Sequence, residues 1–156
     1  MSRNQRVESF DTPAYENIPT ITRGHVAQLE ATNDEKAWLM AGMKSIILRT
    51  VGRKSGKVHK VVLPYWEDEG GHRILTASYA GGPVNPGWYH NLADREANPK
   101  VWIKERAFEA FVRADVLEGA EYDRIWAALI ADRPGYKEYL ANTVRERLPL
   151  IRLVED

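Results

Sequence analysis

The 156-residue sequence contains no cysteine. That excludes disulfides, thiolate metal sites and a cysteine nucleophile together, and it is compatible with a reducing compartment. Net charge is also missing, because 22 basic residues balance 22 acidic ones. Any anion site must therefore be local, and a nucleic-acid module, which needs basic residues interleaved with aromatics along one face, is disfavoured. No run approaches the ~18 apolar residues of a membrane span, and the start Met1-Ser2-Arg3-Asn4-Gln5-Arg6-Val7-Glu8 lacks the apolar stretch of a secretory signal. The four histidines, His25, His59, His72 and His90, show no paired spacing on one element, so no metal site is expected. A soluble, cytoplasmic protein is the expectation, with peripheral membrane contact through the N-terminal arm left open.

With 44% hydrophobic residues and no low-complexity segment, residues 1–156 are expected to form a single domain with a real core. Residues 1–31 read as an N-terminal arm, mobile or lid-like. Their first two-thirds are polar and proline-punctuated, with Phe10, Tyr15 and Ile18 as isolated apolar anchors. Residues 32–156 read as the body. Thr32 followed by Glu35 has capping-box spacing, which predicts a short helix before the first strand.

The richest stretch is Gly52-Arg53-Lys54-Ser55-Gly56-Lys57, with three cations, a hydroxyl and two glycines. It lies between Ile46–Val51 and Val58–Trp66, two runs rich in β-branched and aromatic residues that read as strands. Glycines at such a corner allow close backbone approach, and Arg53 and Lys54 supply a fork and a point charge suited to phosphate. A solvated hairpin turn is the alternative from this loop alone. A nucleotide P-loop is excluded, since only three residues separate Gly52 from Gly56 and Val58 follows Lys57.

Glu69-Gly70-Gly71 predicts a turn and residues 72–78 a third strand, giving a three-stranded meander. The loop Ser78-Tyr79-Ala80-Gly81-Gly82-Pro83 has two glycines whose neighbourhood could open backbone amides to a ligand. Asn85-Pro86 predicts a helix start, cap then first-turn proline, with Trp88, Tyr89 and Leu92 at helical spacing and Asn98-Pro99 as the stop. Trp88 and Tyr89 either plug one end of a barrel or face a ligand. Val101 to Ile103 and the alternating run Ala107 to Val116 predict two more strands, and Tyr122, Ile125, Trp126, Leu129 and Ile130 mark an amphipathic helix. Tyr136 and Tyr139 form either a core-facing pair or a pocket wall, before a last strand at Leu150 to Val154. The count is six strands, mostly linked by short turns, with covering helices: an α+β small barrel.

In order along the chain, Leu48 to Gly56, then Leu63-Pro64-Tyr65, Ala77-Ser78, Gly81-Gly82, Asn85 to Leu92 and Asn98 to Val101 resemble the deazaflavin-dependent nitroreductase family. The resemblance covers roughly residues 45–156. It implies a split β-barrel of mostly antiparallel strands that binds coenzyme F420, a deazaflavin whose tail carries a phosphate and glutamates. It also implies which residues bind the cofactor. Arg53, Lys54, Ser55 and Gly56 would hold the tail, together with His59, which with Lys60 stands where relatives often carry another arginine. Leu63, Pro64, Tyr65, Ala77 and Ser78 would line the ring, and Asn85, Trp88, Tyr89 and Asn91 would close over the other end. Tyr136 and Tyr139 resemble the substrate-side tyrosines of the family, while a third tyrosine of some relatives falls near Arg133 here.

Such a cofactor implies hydride transfer to a planar, electron-poor acceptor: a quinone, an α,β-unsaturated carbonyl such as an enone or lactone, or a nitroaromatic. Ser78 and Tyr65 are the candidate donors to the oxygen on which negative charge grows, and Tyr136 and Tyr139 the candidate wall or proton source. Two alternatives stay open: a split barrel binding flavin mononucleotide (FMN), and a non-catalytic carrier of a hydrophobic ligand. Expected partners are a small planar hydrophobic acceptor and no nucleic acid. The expected state is a monomer or weak dimer.

Overall fold

The computed structural model describes Asn4 and residues 12–155. Helix α1 (Ile18–Glu30) leads to strands β1 (Leu39–Met40), β2 (Met43–Val51), β3 (Val58–Pro64), β4 (Trp66–Glu67) and β5 (Arg73–Thr76). Then follow α2 (Gly87–Ala93), β6 (Val101–Glu105), β7 (Phe108–Val116), α3 (Gly119–Asp132), α4 (Gly135–Asn142) and β8 (Leu150–Val154). The six expected strands are β2, β3, β5, β6, β7 and β8; β1 and β4 are two-residue additions.

All pairings are antiparallel, in the order β1-β2-β6-β7-β8-β5-β4, with β3 on the other edge of β2. Strand β7 makes the sheet curl. Its first half, Phe108 to Val112, pairs with β6, and its second half, Arg113 to Val116, pairs with β8. One long strand thus belongs to both halves of a split barrel.

The expected meander is corrected on one point, because β3 does not pair with β5. Proline has no N–H to extend a ladder, and Pro64 ends β3 there. Tyr65 then donates its amide to Lys44 O at 2.9 Å. The chain crosses to the other half of the barrel, where Trp66 pairs with Ile74 as β4 against β5.

Two of the three buried clusters follow from this crossing. Between the sheet halves lie Ile46, Leu48, Tyr65, Leu75, Ala77, Leu92, Ile103, Val112 and Ile151. Helices α3 and α4 cover a second cluster, in which Tyr122, Ile125, Leu129 and Tyr136 meet Trp66, Ile74 and Leu150. The spacing of Tyr122, Ile125 and Leu129 puts one stripe of α3 inward, as its periodicity predicts.

Residues 18–30 form a helix where the sequence suggests an extension of the arm. Helix α1 lies on β3, burying Val26 and Leu29 against Trp38, Ile47 and Val62. Thr22 Oγ1 accepts the Val62 amide at 3.0 Å, and Glu30 pairs with Lys60 at 2.6 Å. The helix thereby covers the outer edge of β3, whose backbone groups would otherwise be open to another strand. Its polar residues and mid-helix Gly24 hide the pattern, since only two of its residues are buried. Phe10 lies outside the described residues, as do residues 1–3 and 5–11 of the expected arm.

The helix predicted from Thr32 is a single 3-10 turn, Glu35–Trp38, capped by Asp34, whose carboxylate accepts the Lys36 amide at 3.1 Å. Thr32 instead accepts the Asp34 amide at 3.1 Å, two residues upstream of the cap.

Leu29 is fully buried at the centre of the α1 contact. Leu29→Ala is expected to lower unfolding free energy by about 2–4 kcal/mol, read from urea denaturation. A loss below ~0.5 kcal/mol, the range of inert surface substitutions, would mean that α1 is not docked.

Candidate active site

The basic loop is a self-bonded turn at the β2–β3 corner. Gly52 N donates to Lys57 O at 2.7 Å, Gly56 N to Gly52 O at 2.9 Å, and Lys57 N to Ser55 Oγ at 3.1 Å. Ser55 therefore shapes the loop as well as lying in it. Gly56 has φ +71, and a Cβ on the buried Gly52 would sit 2.5 Å from Ser55 Oγ and 3.0 Å from His59 Nε2. Each glycine answers a separate need, one for a left-handed backbone and one for space. Arg53, Lys54 and Lys57 are exposed, and none has a carboxylate within salt-bridge distance among the described residues.

Helix α2 anchors this loop. The buried Asn91 accepts the Arg53 amide at 3.2 Å through Oδ1 and donates to Thr50 Oγ1 at 3.3 Å. Asn98, read from sequence only as a helix stop, accepts the Val51 amide at 2.8 Å and donates to Val51 O and Asn91 O, both at 2.8 Å. His90 sits near the cations. Its pKa is lowered, first by burial and then by repulsion from Arg53 and Lys54.

The residues expected to line the ring gather around the inter-sheet cluster. Tyr65 and Ala77 are members, and Leu63, Trp88 and Tyr89 pack on it while staying half-buried. Leu63 and Pro64 end β3 opposite Ile46 and Ser45. The Tyr65 hydroxyl donates to Glu105 at 2.6 Å, beneath the Arg73 guanidinium. Burial and Glu105 together push its pKa well up. Ser78 is half-buried, and among the described residues its hydroxyl carries no hydrogen bond. The loop after it is strained, with φ of 46, 53 and 77 at Tyr79, Ala80 and Gly81.

Asn85 does not cap α2. Gly87 follows Pro86 into the helix, and Asn85 Oδ1 accepts instead from Arg145 at 2.8 Å. Arg145 also donates to Ala77 O at 2.8 Å and Ser78 O at 2.6 Å. Nothing in sequence singles it out, since it lies in an aperiodic polar stretch after α4.

The two tyrosines of α4 belong to the second cluster and meet edge to face, with ring centroids 6.0 Å apart. Tyr136 is fully buried, whereas Tyr139 is half-buried, and its hydroxyl pairs with Thr12. Helix α4 reaches the loop at Gly81 and Gly82 through its C-terminal end. A Cβ on Gly81 would lie 3.4 Å from Tyr139 O, and Thr143 Oγ1 donates to Gly82 O at 2.7 Å. Arg133 is buried as well, donating to Tyr65 O at 2.7 Å. The expected residues thus form two groups, a basic corner and a ring-side cluster, joined by α2; Tyr136 lies behind them in the second core.

Against known proteins, the profile of the F420H(2)-dependent quinone reductase family matches residues 21–155. An F420H(2)-dependent quinone reductase of Mycobacterium tuberculosis is 30% identical over 137 residues, covering 85% of this chain and 89% of its own. Among solved structures, the F420-H2 dependent reductase FDR-A is 32% identical at a TM-score of 0.57, covering 70% of this chain and 92% of that one. A structure described as a domain-swapped dimer is 27% identical at a TM-score of 0.60, covering 84% and 95%. The expected α+β split barrel agrees with these neighbours. Family and relatives are named for F420H(2), so the FMN alternative gains no support. No helix among the described residues is long and apolar enough to cross a membrane.

His90 offers a direct test of the basic corner. Its NMR titration midpoint should lie below the ordinary ~6.5 and move up in the Arg53→Ala/Lys54→Ala variant, because two repelling cations are removed. A midpoint unmoved by the double substitution would place the cations elsewhere. Because the folded value is depressed, the linked stability is present above the unfolded value and is lost as pH falls through the folded one.

Proposed function

Because the chain belongs to the F420H(2)-dependent quinone reductase family, we propose that it reduces quinones with a hydride from coenzyme F420, and that enones, lactones and nitroaromatics are chemically related acceptors. The observation carrying the reading is the pairing of an unneutralised basic corner with an apolar, half-buried cluster at the two ends of α2. A planar head with a polyanionic tail matches that pairing. Loop cations without carboxylate partners suit a phosphate and glutamates, and the half-buried Leu63, Trp88 and Tyr89 suit a flat ring.

In this reading Arg53 and Lys54 hold the tail, while Asn91 and Asn98 fix the loop that carries them. His59 flanks the same corner. Bound F420H(2) supplies the hydride. Leu63, Pro64 and Ala77 form the apolar bed that excludes water, with Trp88 and Tyr89 closing one side and Asn85 holding its end through Arg145. The Ser78 hydroxyl, uncommitted among the described residues, donates to the acceptor oxygen as negative charge grows there. Tyr65 has a different part, since its hydroxyl already donates its hydrogen bond to Glu105; it fixes the segment beneath the ring. Tyr139 walls the acceptor side, and Tyr136 supports it from the core.

Burial raises the pKa of Tyr65, Tyr136 and Tyr139, so all three keep their protons at neutral pH. They act as hydrogen-bond donors or packing, and the proton that completes reduction comes from water.

Tryptophan fluorescence titration with F420, beside FMN, tests the reading. Saturable quenching by the deazaflavin alone is expected. Arg53→Ala/Lys54→Ala should weaken it roughly tenfold to hundredfold, about 1.4–2.8 kcal/mol. Unchanged affinity in the double variant would sink the tail assignment, and quenching by neither cofactor would sink the enzyme. With F420H(2) and a quinone such as menadione, Ser78→Ala should lower kcat with little change in KM.

A further inference from the structure

Most half-buried arginines elsewhere in this fold are neutralised, the exception being Arg49, whose guanidinium lies over the Trp102 ring at 4.7 Å instead. Arg73 pairs with Glu105 at 2.9 Å, and Arg152 with Asp68 at 2.8 Å. Arg145 is held otherwise. Its Nη1 donates to Ala77 O and Asn85 Oδ1, its Nη2 to Ser78 O, and its Nε to Thr143 Oγ1 at 3.2 Å. Every acceptor is neutral, and among the described residues no carboxylate lies within salt-bridge distance. Four contacts use four of the five guanidinium N–H groups, leaving one.

An unpaired charge in a half-buried position is unfavourable unless something complements it. Burial lowers the Arg145 pKa, the direction expected of a cation with no counter-charge. Arg133 also lacks a carboxylate partner at salt-bridge distance, but it is only 2% exposed and sealed in the core, so a ligand can reach Arg145 and not Arg133. In the chain Arg145 stands between Val144, 86% exposed, and the exposed Glu146, while Val84, next to its partner Asn85, is 58% exposed. A charge held only by neutral acceptors, with the exposed Val144 beside it and Val84 next to its partner Asn85, suits a flat ligand carrying negative charge on a conjugated oxygen.

We propose that Arg145 is the counter-charge for a planar anion bound against the Ala77–Ser78 segment, separate from the Arg53/Lys54 corner. Resting on the reductase reading, the ligand class is the reduced acceptor as an enolate- or hydroquinone-like oxyanion, or a planar carboxylate occupying the same place. Arg145 is both a positioning residue, through the two carbonyls it grips, and the positive end of the ring side.

The test uses the full chain without cofactor, with benzoate as the planar anion and benzamide as its neutral counterpart, both titrated by tryptophan fluorescence. Wild type should bind benzoate at least tenfold tighter than benzamide. Arg145→Lys, which keeps charge but loses the fork, should retain part of that preference, and Arg145→Gln should abolish it. Arg53→Ala/Lys54→Ala should leave it intact. The proposal is overturned if wild type shows no preference, if the Gln variant keeps the full preference, or if the double variant removes it. Should the Gln variant fail to fold by thermal melting, the wild-type, Lys and double-variant titrations still decide. Failure of F420 to bind would sink the reductase reading and leave the benzoate comparison standing.

Discussion

Val51 closes β2, and both its backbone groups are taken by one side chain, that of Asn98. Buried backbone polar groups have to be satisfied, and an amide side chain can answer an N–H and a C=O together. Because Asn98 also holds Asn91 O, and Asn91 holds the Arg53 amide, the end of β2, helix α2 and the basic loop form one hydrogen-bonded unit. The cations of the corner are exposed and long, but the backbone that carries them is fixed from inside. The charge is thus presented at the surface, while its placement belongs to buried amides.

The same division holds at the Ala77–Gly82 segment. Arg145 grips the carbonyls of Ala77 and Ser78 just before three residues of left-handed backbone. Strain of that kind persists only where neighbours over-determine the chain. Here the neighbours are Arg145, Thr143 on Gly82 O, and the Tyr139 backbone beside Gly81. Residues that lie far apart in sequence thus set the shape of the loop expected to face the reacting atoms.

Much of this was legible in sequence where periodicity or spacing carried the signal. The alternation of residues 107–116, the stripe of α3 and the glycines around Arg53 and Lys54 each correspond to an element of the structure. Features decided by partners from distant segments were not legible. Helix α1 buries only Val26 and Leu29, too few for a periodic signature. Asn85 has the look of a cap until Arg145 claims its carbonyl, and Tyr65 the look of a free donor until Glu105 accepts its hydrogen bond. The crossing at Pro64 turns an apparent meander into two half-sheets, because a missing N–H ends pairing without changing the hydrophobic pattern.

Spatial order and chain order diverge most at β8, which lies between β5 and β7. A strand occupying the middle of a half-sheet cannot be added as a finishing layer. Until residues 150–154 arrive, β5 has only the two-residue β4 beside it, and the second half of β7 has no partner. The α3–α4 cover would then rest on an unfinished floor, since Leu150 belongs to the core beneath it. Assembly of that half is therefore governed by contacts of very long sequence separation, which tie the folding rate to a slow loop-closure search and hold the nascent chain open late.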